Sequence, residues 1–457
     1  MLEFVQEFSP LLMFLCLAVL LFSGYPVAFV LGGVGLAFGF IGMAFGTFSF
    51  PEFNNIVLRV WGGVAENLLL VAVPMFVFMG IMLERSGVAE NLLHTMQLML
   101  ASVRGGLAMA VTVMGTILAA STGIIGASVV MMGVLALPAM LNRKYQTELA
   151  VGTICASGTL GILIPPSIML VLMGDLLSIS VGELFIGALF PGLILTGLYI
   201  LYIGTIAILR PEVAPPVSLR ERQISWRELT GQVVKSFIPP VVMILLVLGS
   251  IFAGWATPTE ASGVGAFGAM LLAIVNRRFG LDVLKDVLYR SALTISLIFM
   301  ILIGATTFSY VYRSLGGDEI AEAILLGLAL GPWGILFFLM GVIFFLGFFF
   351  DWIEITLIVL PLFGPIVSKL DLSGHLSDPQ QITLWFALLV AINLQTSFLT
   401  PPFGFALFYL KGVSPPEVTT GHLYRGIIPF VGLQLIGLTL VMMFPKLVTW
   451  LPSVLLQ

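Results

Sequence analysis

Four short stretches interrupt otherwise apolar sequence with small oxygen-bearing side chains and helix breakers. They are Ser121-Thr122-Gly123; Ser157-Gly158-Thr159, followed by Pro165-Pro166; Asp351-Trp352-Ile353-Glu354; and Asn393-Leu394-Gln395-Thr396-Ser397, followed by Thr400-Pro401-Pro402. Carbonyls freed where a helix breaks, together with Ser, Thr and Asn oxygens, are hard ligands suited to a small cation. Helix N-termini at the same breaks offer N–H groups and a positive dipole end to an anion. On this reading the cation is assigned to Ser121, Ser157, Gly158, Glu354, Asn393 and Ser397. The anion is assigned to Thr122, Gly123, Thr159, Pro165, Asp351, Gln395, Thr396 and Thr400.

Each assignment competes with a plainer one. Gly, Ser and Thr let membrane helices pack closely without binding anything, whereas paired prolines after a polar break are more specific. Asp351 and Glu354 are the only acids in their apolar block. Acids at membrane depth are costly and usually functional; the rival is a hairpin tip that reaches water. Glu260, in Thr257-Pro258-Thr259-Glu260, sits at a break near an interface, where solvation suffices.

The elements that must hold these residues are membrane helices. The 457-residue chain is 59% hydrophobic and 9% charged, with a mean hydropathy of +1.14. Soluble domains carry about 25% charged residues, so lipid must cover this chain. The apolar runs lack the period-two alternation of a membrane barrel. Helices, which satisfy their own backbone, are the remaining solution. The acidic opening (Glu3, Glu7) is unlike a cleaved signal peptide. Cys16 and Cys155 lie in apolar runs, and the three histidines show no ligand spacing, so no disulfide framework or metal cluster is indicated. The net charge of −4 says little about partners, and no nucleic-acid partner is expected.

Polar and Pro/Gly breaks divide the sequence into ten apolar blocks: 10–45, 56–83, 105–141, 147–174, 184–209, 237–275, 291–311, 332–367, 382–410 and 423–448. A span needs about 20 residues, so the blocks starting at 10, 105, 237 and 332 must each be two helical pieces. Lys and Arg favour cytoplasmic loops. If 10–45 and 237–275 cross twice, and 105–141 and 332–367 are hairpins that enter and leave on one side, both termini are periplasmic. Only Arg59, Arg313, Lys369 and Lys446 of the 19 Lys and Arg then lie outside. Residues 210–236, with three prolines and Ser225-Trp226-Arg227-Glu228, form a cytoplasmic linker between halves 1–209 and 237–457.

The halves resemble each other in order. Gly24-Tyr25-Pro26 with Gly33 parallels Gly254-Trp255 and Pro258 with Gly265. Ala136-Leu137-Pro138 parallels Val359-Leu360-Pro361, Ile164-Pro165-Pro166 parallels Thr400-Pro401-Pro402, and Gly182-Glu183-Leu184 parallels Gly421-His422-Leu423. Five crossings plus a hairpin per half would invert the second relative to the first, the arrangement by which secondary transporters build a midplane site from broken helices. The fold class is therefore an all-α polytopic membrane protein of two inverted repeats. Each repeat has scaffold helices (10–83, 237–311), a hairpin (105–141, 332–367), a broken helix (147–174, 382–410) and a closing helix (184–209, 423–448).

Four stretches carry a family resemblance: Gly158-Thr159-Leu160-Gly161-Ile162-Leu163-Ile164-Pro165-Pro166-Ser167, Ala256-Thr257-Pro258-Thr259-Glu260-Ala261, Asp351-Trp352-Ile353-Glu354, and Asn393 through Gly404. With these the chain resembles the large (M) membrane subunit of TRAP transporters from Gly24 to Tyr424. The resemblance implies an elevator-type carrier in the bacterial inner membrane. It implies Na+ as the coupling ion, bound at hairpin tips and broken-helix loops, and organic acids such as C4-dicarboxylates or sialic acid as substrates. It also implies two partners, a periplasmic substrate-binding protein and a small four-helix membrane subunit, the latter a separate chain because Pro10 already opens the first span. The nearest rival is a binding-protein-independent carrier of the same superfamily. A channel would need a continuous polar path, and the polar residues are confined to the breaks. An intramembrane enzyme would need a catalytic constellation that the spans lack.

Overall fold

The computed structural model describes residues 2–123, 125–216, 225–372, 374–376, 378–401 and 404–455; the side chains of 2–7, 119–122, 226 and 326 fall outside that description. The described residues are helical, without strands. Among them nine helices are long and apolar enough to cross a membrane, so the chain is a multi-pass membrane protein. Large apolar side chains, Phe29, Leu68 and Trp255 among them, stand exposed on its flanks, as a lipid-facing surface requires.

Helices α1 (Leu2–Phe22) and α2 (Val27–Phe45) are separated at Gly24, whose φ of +82° suits glycine alone at little cost, and at Pro26, which caps α2. The second half repeats the device. Helices α12 (Ile238–Phe252) and α13 (Pro258–Val275) part at Gly254, φ +68°. There Thr257 and Glu260 close a capping box, with the Thr257 N–H donating to Glu260 Oε2 at 2.8 Å. Glu260 is thus an exposed cap.

The block 56–83 is not one span. Helix α3 (Phe50–Val60) opens with a Ser49/Glu52 capping box and runs into a π turn at Gly62-Gly63. It stops at Glu66, and Asn67 caps a 3₁₀ turn that leads into α4 (Ala72–Arg85). Two glycines followed by a polar pair end the helix where apolar composition alone predicts continuity. Helix α14 (Leu281–Ser314) errs the other way and extends ten residues before the apolar block, through Asp282, Lys285, Asp286 and Arg290. Two of those charges find partners: Arg290 forks onto Glu84 with both contacts at 3.0 Å, and Arg85 pairs with Asp286 at 2.6 Å.

Helices α5 (Val88–Met99), α11 (Trp226–Gln232), α15 (Gly317–Gly327) and α21 (Lys446–Leu455) are short connectors or ends. Helices α6 (Gly106–Thr122) and α7 (Ile125–Asn142) pack on each other as a hairpin about Gly123, and α16 (Pro332–Leu346) and α17 (Trp352–Ser368) do so about residues 347–351. Helix α8 (Thr147–Thr159) ends in a 3₁₀ turn and Pro165-Pro166 before α9 (Ile168–Leu177). Helix α18 (Pro379–Leu399) ends at Thr400 before α19 (Phe405–Val413). Helices α10 (Val181–Leu209) and α20 (Thr420–Met443) close the halves.

Contacts between the halves are reciprocal. Helix α2 packs on α14 while α13 packs on α4; α7 on α19 while α17 packs on α9; α8 on α20 while α18 packs on α10. Gly304 meets the Ala28 carbonyl closely enough that a Cβ would sit 2.5 Å from it, and Gly152 and Gly426 press on each other's helix backbone. Small residues permit such approach in membranes.

Candidate functional site

The two broken helices pack on each other at the centre, and both are withdrawn from lipid. Every residue from Leu149 to Thr159 is buried, and 94% of the α18 window is buried, against 28–56% for the other spans. Polar side chains on these helices therefore have no water to fall back on, and an unmade hydrogen bond is costly.

In the first half, Gly115 of α6 leaves room for Ser157; a Cβ there would lie 2.7 Å from the serine Cβ. Gly158 does the same against Val129 and Met132 of α7. Both hairpin arms are thus pressed onto α8 around Ser157. Gly123, at φ +59°, brings the hairpin turn against the first residue of α9: its Cβ would meet Ile168 N at 3.3 Å. The Ser157 hydroxyl is fully buried and has no hydrogen-bond partner among the described residues, and the same holds for Thr153 one turn earlier. Thr159 donates to the Ala156 carbonyl (2.9 Å) and accepts from Gln434 Nε2 of α20 (3.4 Å), which also donates to the Tyr199 hydroxyl of α10 (2.8 Å). Pro165 is buried in the 3₁₀-to-α9 link, where the Ser167 hydroxyl reaches back to the Ile162 carbonyl at 2.6 Å. Ser121 and Thr122 end α6, with side chains outside the described set.

The second half is built alike. Gly347, at the end of α16, lies so close to Ser397 that a Cβ would sit 2.5 Å from its hydroxyl oxygen. Asn393 Nδ2 donates to the Met340 carbonyl of α16 at 2.8 Å. Ser397 donates to the Asn393 carbonyl (3.1 Å), Thr396 to Ile392 (3.4 Å) and Thr400 to Thr396 (2.7 Å). Among the described residues, neither amide atom of the fully buried Gln395 has a partner, and the buried Thr356 hydroxyl of α17 has none either. Pro402 and Phe403 lie outside the described residues.

Asp351 and Glu354 sit elsewhere. Asp351 caps α17, its Oδ1 accepting from Trp352 N at 2.8 Å, while Glu354 Oε2 accepts from Asp351 N at 3.1 Å. They line a cavity of about 450 Å3 against the α1–α2 turn (Tyr25, Pro26) and Ser296 of α14. Their geometry is that of a helix cap facing a cleft, apart from the α8–α18 contact.

Around the two broken helices the unpartnered groups among the described residues are neutral: the Ser157, Thr153 and Thr356 hydroxyls, the Gln395 amide and Gln434 Oε1. Among the described residues no group of three His, Cys, Asp or Glu gathers to hold a metal. Neutral hard oxygens without carboxylates fit a singly charged hard cation better than a divalent or transition ion. Sequence reading missed Gly115, Gly347, Thr356, Gln434 and Tyr199. Of these, only Gln434, a lone amide in the apolar run of α20, carries a signal visible in sequence.

Comparison with known proteins agrees with this architecture. The family described as the DctM component of the tripartite ATP-independent periplasmic transporter matches residues 14–447. The C4-dicarboxylate TRAP transporter large permease protein of Pseudomonas aeruginosa is 31% identical over 89% of this chain and 91% of its own length. The ectoine/5-hydroxyectoine large permease of Ruegeria pomeroyi is 30% identical over 94% and 95%, and the sialic acid large permease of Vibrio cholerae 28% over 96% and 97%. Among solved structures, the Alcanivorax borkumensis YdaH transporter shares the fold, with a TM-score of 0.59 and 14% identity over 89% of this chain and 90% of that one. By sequence across nearly its whole length, the chain belongs to the DctM family, the large permease component of TRAP transporters and not an enzyme.

Proposed function

We propose that this chain carries an organic acid into the cell with Na+ across the bacterial inner membrane, receiving it from a periplasmic binding protein and working beside a small four-helix membrane subunit. The observation that carries the reading is the buried, unpartnered Ser157 and Gln395 on two broken helices in mutual contact. Buried polar groups are normally satisfied; left open at a helix break, they suit ligands that come and go. Ser157, Gly158, Asn393 and Ser397 are the proposed Na+ ligands, joined by Ser121. Thr159, Gln395, Thr396 and Thr400 face the substrate, joined by Thr122, Gly123 and Pro165. The relatives are named for C4-dicarboxylates, sialic acid and ectoine, all carboxylate-bearing compounds, which supports a carboxylate here.

The mechanism we favour is an elevator. The hairpins α6–α7 and α16–α17 and the broken helices α8–α9 and α18–α19 move together against α1–α4 and α12–α14. The reciprocal packing of the halves and the matching left-handed glycines at 24 and 254 support an inverted repeat, which gives such a unit two equivalent end positions. The test is uptake of radiolabelled succinate or sialic acid into liposomes holding this chain and its small subunit, with purified binding protein outside. Uptake that needs both an inward sodium gradient and the binding protein is expected. Uptake without the binding protein would make the chain a self-sufficient carrier, and uptake indifferent to sodium would end the coupling proposal.

A further inference from the structure

A second cavity, of about 410 Å3, opens between α3 and α14 on one side and the end of α9 and the middle of α17 on the other. That volume lies in the range of small-molecule sites. Arg59, Tyr310 and Arg313 line one wall; Asp175 and Pro361 line the other. Both cations thus stand on the same wall.

They are held differently. Arg59, in the last turn of α3, sits over Tyr310 with its Cζ 4.9 Å from the ring centroid, and Asn55 fixes that ring by donating to its hydroxyl at 3.1 Å. Among the described residues Arg59 has no carboxylate partner, so a guanidinium posed by an aromatic face keeps its N–H edge for another acceptor. Arg313 is occupied: Nη2 donates to the Pro361 carbonyl at 2.8 Å and Nε lies 3.4 Å from Asp318. The Pro361 carbonyl is open to it because Pro365, four residues on, has no N–H to give. On the facing wall, Asp175 has one carboxylate oxygen taken by Asn67 Nδ2 at 2.6 Å.

The sequence is sparing with outer cations. Of 19 Lys and Arg, the orientation argued above leaves Arg59, Arg313, Lys369 and Lys446 outside, and two of those four line this one cleft. We propose that the cleft captures the organic anion on the outer side, its carboxylate bound by Arg59 and then by Arg313 before the central site takes it. The inference rests on the permease reading and on that orientation. A carboxylate is a stronger acceptor for a guanidinium than a neutral carbonyl, by roughly a factor of two. Capture at Arg313 therefore displaces Pro361 and loosens the tie between α14 and α17, so that binding and release of the second hairpin become one event.

The test reads the cleft without reading transport. Ser309, on the same wall, is replaced by cysteine, and the chain with its small subunit is labelled in nanodiscs by an anionic (sulfonatoethyl) or a cationic (trimethylammonioethyl) methanethiosulfonate. Rates are normalised to a free thiol, and labelling of the chain without the new cysteine is subtracted. Arg59 and Arg313 outweigh Asp175 in the lining, and a charged cleft concentrates counter-ions by about ten-fold at the low end, so the anionic reagent should label Ser309→Cys faster than the cationic one, by up to about ten-fold. Succinate or sialic acid should slow both reagents. Arg59→Gln, which loses the contact with Tyr310 but breaks no hydrogen bond among the described residues, should remove most of the preference and the protection; Arg313→Lys should keep the preference and weaken the protection. Equal rates for the two reagents, or a preference untouched by Arg59→Gln, would overturn the proposal. Anion preference with no sodium-driven uptake would support the cleft and count against the permease reading.

Discussion

Gln395 separates stability from function more sharply than any other residue here. Its side chain is fully buried in α18, and neither Nε2 nor Oε1 has a partner among the described residues. A buried unsatisfied polar group costs about 1–3 kcal/mol, so the two together weigh against the ligand-free fold by roughly 2–6 kcal/mol. Methionine matches glutamine in length and carries neither group, and a volume-conserving exchange costs less than about 1.5 kcal/mol. Gln395→Met should therefore stabilise the ligand-free protein by about 0.5 kcal/mol or more. For a chain of this size that reads as an upward shift of at most a few degrees in the thermal midpoint. The same variant should lose uptake, and it should lose the further stabilisation that succinate or sialic acid gives the wild type in sodium, about 2.7 kcal/mol at a hundredfold excess over Kd. The assay is differential scanning fluorimetry of the purified protein with and without acid, run beside liposome uptake. A midpoint several degrees below wild type, or a variant that transports normally, would refute the reasoning, because the amide would then be serving the fold.

Three other perturbations test the rest of the site. Asn393→Ala strips the Met340 carbonyl of its donor and should cost about 1–3 kcal/mol; if Asn393 also serves the cation, half-maximal uptake will need about ten times more sodium, a ten-fold loss being 1.4 kcal/mol. Gly347→Ala and Gly115→Ala push a methyl into Ser397 and Ser157, an overpacking worth about 1–3 kcal/mol, and each should abolish uptake while the chain still inserts and purifies with its small subunit. Arg290→Gln breaks the two-pronged contact with Glu84, whose members are 33% and 21% exposed; it should lower the thermal midpoint by about 1 kcal/mol equivalent and leave the sodium dependence of uptake unchanged.

The sequence made the helix breaks legible because Gly, Pro and small polar residues change the backbone wherever they occur, regardless of tertiary context. The turn at Gly24-Pro26 and the hairpin break at Gly123 follow from such local chemistry; the breaks expected at Ser157–Thr159 and Asn393–Ser397 fall later, because both stretches stay helical and the chain leaves the helix only after Thr159 and Leu399. What remained hidden depends on neighbours far along the chain. Nothing local marks Gly347 as the seat for Ser397, fifty residues on, or Met340 as the carbonyl that Asn393 finds. The block 56–83 misleads by its apolarity, since Gly62-Gly63 and Glu66-Asn67 end a helix in a run that composition reads as continuous. The charged start of α14 misleads oppositely, because Glu84 and Arg85, two hundred residues earlier, supply the partners that let it stay helical. Asp351 and Glu354 were legible as unusual acids, but their engagement with the α17 N-terminus emerges only once the helix start is fixed.

The reciprocal packing explains how so apolar a chain can keep its polar groups open. Were each half to fold on itself, α8 and α18 would each face lipid on one side, and Ser157 or Gln395 would meet hydrocarbon, where an unpaired polar group is least tolerable. Exchange between the halves prevents this. Helix α20 of the second half covers α8 and also α18, α10 of the first half adds to the cover of α18, and the two broken helices touch each other. Glycines at 152 and 426 bring α8 and α20 into backbone contact, close enough for Gln434 to reach both Thr159 and Tyr199. The site is therefore shielded jointly: each broken helix is covered on one side by the hairpin of its own half and on another by helices of the opposite half.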